Sequence, residues 1–150
     1  MRARRREFAR SEEGNSLVEA ALFVPMMLLV LMGVVDFGRA YYLADEIAGA
    51  AQAGAVYGSQ NSSDTTGMVN AAKLNAPDVS GLTATGAWGC ECSDGTHVTA
   101  TCTSTPTCSV NVVYFAKVTV SATFQPMVPW PGIGSSTTIS RSVTMRSSGN

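Results

Sequence analysis

Sixteen consecutive residues, Ala20 to Val35, carry no charge, and Glu19 and Asp36 flank them. As a helix at 1.5 Å per residue this run spans roughly 24 Å, slightly less than a bilayer's hydrocarbon core. Counted from Leu17 and through Glu19, the stretch reaches 19 residues. Phe37, Tyr41 and Tyr42 extend it and suit an aromatic belt at the far interface. A chain built around such a segment is constrained to seat one helix in lipid.

The flanking charges set its direction. Arg2, Arg4, Arg5, Arg6 and Arg10 precede the run, against Glu7, Glu12 and Glu13. From Asn15 onward five basic residues face eight acidic ones, a net of −3. This asymmetry predicts a single pass through a membrane. The N-terminus lies in the cytoplasm and everything after about Arg39 outside it. Membrane lipid is therefore an expected partner. Nucleic acid is not, because no basic patch remains once the leader is set aside.

Glu19 needs a reason to be where it is. A carboxylate in a membrane helix costs about 2.5–3.5 kcal/mol at most. Ser16-Leu17-Val18-Glu19 fits a capping box at a helix start, and the helix dipole favours an acid in the first turn. Asp36 and Arg39, three apart on a helix, suit an interfacial ion pair.

The helical pattern continues beyond the membrane edge. Ala40 to Tyr57 is Ala-rich, and Leu43, Ile47, Ala51 and Ala55 form a narrow stripe of mostly small residues. A helix from Ser16 to Tyr57 is about 60 Å long, with a kink at Pro25. Gly58 to Thr66 reads as a loop and Gly67 to Leu74 as a short helix ended before Pro77. Residues 77–109 read as irregular loops with at most one short strand. Every even position from Val110 to Phe124 is apolar, which predicts a long strand with one face on a core. Pro126, Pro129 and Pro131 end it, and Thr137 to Met145 supplies an antiparallel partner with Ile139, Val143 and Met145 inward. The expected fold is α+β, a long N-terminal transmembrane α-helix whose small-residue stripe is covered by a small antiparallel β-sheet.

Cys90, Cys92, Cys102 and Cys108 lie within 19 residues of the exported part, which predicts two disulfides. A Cys90–Cys92 bond is disfavoured by its geometry, and the other two pairings stay open. The spacing lacks the C-x2-C knuckle of a zinc site. No metal or cofactor is expected. His97 is the one histidine, and neither a phosphate loop nor a catalytic constellation occurs, so the chain is not expected to be an enzyme.

Three stretches together resemble a known family. They are GNSLVEAALFVPMMLLVLMGVVDFGRAYY, AAQAGAVYG, and the C-terminal V-x-V-x-F-x-P-M-x-P followed by S-V-T-M-R. The chain resembles the TadE-like minor pilins, or pseudopilins, of tight-adherence (type IVb) pilus systems. That resemblance implies a pilin-like fold in three parts: a prepilin-type leader over 1–14, a long helix over 15–57 and an extracytoplasmic domain over 58–150. It implies cleavage between Gly14 and Asn15 by a prepilin peptidase. Its other implied partners are further pilin or pseudopilin subunits and the pilus assembly machinery. Glu19 then becomes the fifth mature residue, with an assembly role in which it meets the new α-amino group of Asn15. Asn15 itself departs from the larger apolar residue that ordinary pilins place first. Two alternatives stand beside this. One is an uncleaved single-pass anchor presenting a binding or adhesive module. The other is a secreted domain released at the small-x-small triplet Gly38-Arg39-Ala40.

Overall fold

The computed structural model describes residues 12–147, with side chains from Ser16 onward. The arginine-rich leader lies outside the described residues. Helix α1 (Glu12–Gln60) runs 49 residues without interruption and contains Pro25. At 1.5 Å per residue it is about 70 Å long. It exceeds the expected Ser16–Tyr57 at both ends. The earlier start corrects the capping-box expectation, because Ser16 stands a full turn inside the helix and its amide has a carbonyl partner one turn back.

The chain divides into two compact units between Phe37 and Gly38. In the first, the described side chains are almost all exposed: Leu22 at 73%, Phe23 at 58% and Leu31 at 60%. Such a helix, apolar on every side, has no polar face to turn toward water.

In the second unit, the later part of α1 and a short helix α2 (Thr65–Asn75) cover one face of a four-stranded antiparallel sheet. The strands are β1 (Thr83–Cys92), β2 (Thr99–Ala100), β3 (Val112–Phe124) and β4 (Thr137–Ser147), in the order β2-β1-β3-β4. Ile47, Ala50, Ala51 and Ala55 of α1 are fully buried with Met68 and Ala72 of α2 against Ala116, Val118, Val120 and Ala122 of β3. The stripe anticipated at Leu43, Ile47, Ala51 and Ala55 is therefore the helix's core face, with Leu43 at its half-buried margin. The strand expected from Val110 begins at Val112 and buries the even positions from Ala116 to Ala122. Its partner β4 sets Met145, Val143 and Ile139 opposite Ala116, Val118 and Ala122, all on the core side.

Residues 77–109 differ from expectation. They hold a ten-residue strand, β1, which is hydrogen-bonded to β3 over its whole length and sits in the middle of the sheet. Its inward positions are Ala84, Gly86, Trp88, Cys90 and Cys92, a period-two pattern written in residues with little strand propensity of their own. On the opposite face, hydroxyls bond across strands, Thr83 Oγ1 to Ser121 Oγ at 2.8 Å and Thr119 Oγ1 to Ser142 Oγ at 3.1 Å.

Helix α2 starts two residues earlier than expected because Asp64 caps it. Its Oδ1 accepts from the Gly67 amide at 2.8 Å, and the Tyr57 hydroxyl donates to Oδ2 at 2.7 Å. The Gly67 amide first, then the Tyr57 hydroxyl, holds the Asp64 carboxyl below its usual range. A depressed folded-state pKa contributes stability that is fully present above the unfolded value, near 3.9, and is lost as pH falls through the folded one. The acid limb of a pH-stability profile should therefore flatten in Asp64→Ala, while the profile above about pH 5 keeps its shape.

Candidate functional site

The N-terminal helix is the site that the sequence points to, and the structure shows what it offers. Glu19 is exposed on α1, among the exposed apolar residues Leu17, Val18, Leu22 and Phe23. It stands one helical turn after Asn15 along the backbone. The backbone at Gly14 and Asn15 is helical, and their side chains lie outside the described ones.

Asp36 is the buried charged residue among those described, at 4% exposure, and it is engaged, as is Arg39. The Arg39 guanidinium stands 5.7 Å from the centre of the Phe124 ring, a cation–π placement between residues 85 positions apart that no local pattern announces. Beside it, Tyr42 donates to Asp78 at 3.0 Å, tying the helix to the segment after α2. Arg39, Phe124, Tyr42 and Asp78, with Leu43, Val79 and Gly81, line an open groove of about 550 Å³.

The four cysteines come together as Cys90–Cys102 and Cys92–Cys108, with Cα–Cα distances of 5.4 and 5.6 Å. All four are therefore committed to sulfur–sulfur bonds. The bridges pin the loops on either side of β2 to the end of β1, where Thr101 (φ 57°) and Cys102 (φ 44°) adopt the left-handed backbone region. That conformation is costly for a β-branched residue such as Thr101, so the covalent tether over-determines it. His97, also left-handed, is exposed in the same lobe. Arg146 reaches Glu91 with Nε at 3.0 Å and Nη2 at 2.9 Å, closing the outer face of the sheet beside the cysteine end of β1. Sequence reasoning missed this pair because it depends on the register of β1, a strand it did not foresee.

Neither a curated protein nor a solved structure matches this chain. A family does. Residues 14–56, which start on Gly14 and contain Glu19 and the whole apolar run, match the family described as TadE-like protein.

Proposed function

We propose that this chain is the precursor of a minor pilin or pseudopilin that takes part in assembling a tight-adherence (type IVb) pilus. A single observation carries the proposal: the TadE-like match opens on Gly14 and follows a helix whose early part is apolar and exposed on every side. Such a helix finds cover in lipid first and against other helices afterwards. In this mechanism α1 seats in the inner membrane with its N-terminus in the cytoplasm. Prepilin peptidase cuts between Gly14 and Asn15, and α1 then packs against the helices of other pilin subunits as the assembly machinery extracts it. Glu19 and the freshly exposed α-amino group of Asn15 neutralise each other in a medium where either charge alone is expensive.

The uninterrupted helix through Gly14 and Asn15 favours a second reading, an uncleaved anchor that displays the exported domain and joins no filament. The N-terminus of protein purified from its native membrane separates the two. A chain starting at Asn15 supports the pilin, and one starting at Met1 supports the anchor. Glu19→Ala should insert and be processed normally while pilus numbers, and co-purification with other pilins, fall. Unchanged piliation would remove the assembly role from Glu19.

A further inference from the structure

The loop joining β3 to β4 runs from Gln125 to Ser136 and leaves the sheet at the end where β3 meets Arg39 of α1. Three pairs along α1 establish this. A side-chain carbon at Gly58 would lie 2.6 Å from the Ala116 Cβ, and one at Gly54 would lie 3.0 Å from a Val118 methyl. Phe124 lies under Arg39. From Ala116 to Phe124 the strand advances about 26 Å at 3.3 Å per residue, and from Gly58 back to Arg39 the helix covers about 28 Å at 1.5 Å per residue. The two elements run antiparallel in step, so β3 follows α1 from Gly58 back to Arg39. Phe124 is level with Arg39, four residues past the last of the uncharged run.

The loop has the chemistry of a membrane interface. No charged residue occurs between Lys117 and Arg141. Met127 is 65% exposed and Ile133 44%. Pro126, Pro129 and Pro131 have no N–H, so three amides of the loop bring no donor to desolvate. The tip is a turn in which the Ile133 amide donates to the Trp130 carbonyl at 3.1 Å, with Pro131 second and Gly132 third at φ 84°. Those are the residues and the dihedral of a type II turn, which satisfies its own backbone and sets Trp130 and Ile133 at its two ends. Tryptophan settles at the headgroup level, where its ring is in apolar surroundings and its N–H is wet.

We propose that this loop is a second membrane contact: Met127, Trp130 and Ile133 insert into the outer-leaflet interface of the lipid bilayer that holds α1 and fix the exported domain against the membrane before assembly. The proposal rests on the membrane seating of α1 set out above. Its test uses the full chain in phosphatidylcholine–phosphatidylglycerol vesicles whose acyl chains are brominated near the glycerol end. Trp88 serves as an internal reference, since it pairs with Ala116 at the far end of the stretch from Ala116 to Phe124. Brominated lipid should abolish most of the emission that distinguishes wild type from Trp130→Phe and leave the Trp88 remainder unchanged. Met127→Asp with Ile133→Asp should restore the lost signal. A Phe23→Trp reporter in the Trp130→Phe background reads the seating of the helix independently. Quenching of that reporter without quenching of Trp130 overturns the loop contact and leaves the helix reading standing. Quenching of neither overturns both. A Trp130 that escapes bromine and turns blue-shifted only as chains cross-link to one another means a second copy covers the loop, and also overturns the proposal.

Discussion

Gly54→Val should lower the melting temperature of the sheet-bearing unit by on the order of 10–20 °C, the shift that about 2–3 kcal/mol produces in a domain of this size. A carbon added at Gly54 would stand 2.8 Å from the Met68 carbonyl oxygen and 3.0 Å from a Val118 methyl. Neither can retreat cheaply, because one belongs to the backbone of α2 and the other to a fully buried side chain of β3. Intrinsic propensity acts the other way, since glycine is the poorer helix former by about 1 kcal/mol against alanine. Gly38, which has nothing within 4 Å of an added carbon, is the control. Gly38→Ala should raise the melting temperature or leave it unchanged. Near-ultraviolet circular dichroism of the detergent-solubilised chain, which reports the packing of Trp88 rather than helix content, measures both. An unaltered melt in Gly54→Val would mean that α1 does not lie against β3 as described.

Loss of the Cys92–Cys108 bridge should have an effect of similar size. The bond closes a loop with a sequence separation of 16. Chain entropy alone assigns about 3 kcal/mol to a loop of that length, and native bridges in small exported domains are worth about 2–5 kcal/mol. Cys92 is also buried, at 1% exposure, so Cys92→Ala with Cys108→Ala leaves a small void as well as an untethered loop. The expected result is a lower melting temperature and rapid proteolysis between Ser93 and Asn111, with β3 and β4 holding out longer. Peptide mapping without reductant should recover Cys90 with Cys102 and Cys92 with Cys108. Recovery of Cys90 with Cys108 instead would refute the pairing.

An element is legible in the amino-acid order when its pattern is written in side chains that themselves prefer that element. The even positions of β3 are Val, Tyr, Ala and Phe, and the early part of α1 is apolar on every side, so both elements are plain from residue order alone. The small-residue stripe at Ile47, Ala51 and Ala55 announces a face meant for close packing, and it is that face which meets the sheet. β1 stays hidden because TATGAWGCEC draws its inward positions from Ala, Gly, Trp and Cys. Its strand state comes from pairing with β3 and from the disulfides, both long-range effects that local propensity does not contain. The bridge pairing is open for the same reason: it follows from where β1 ends relative to β2. Asp64 is within reach, since an acid three residues before Gly67 is a helix-start signal, but the run of serine and threonine around it reads as loop. Of the candidate site, the position of Glu19 relative to Gly14 is fully legible, whereas the Arg39–Phe124 and Tyr42–Asp78 contacts require the tertiary fold.

The near-touch of α1 and β3 at Gly54 and Gly58 has a mechanical corollary. With no layer of long side chains between them at these two positions, helix and strand have nothing soft to slide on, so force along this part of α1 passes straight into β3. That strand lies parallel to the pull and is stitched on both flanks, to β1 and to β4. Tension along this part of α1 therefore shears many hydrogen bonds together instead of peeling them one by one.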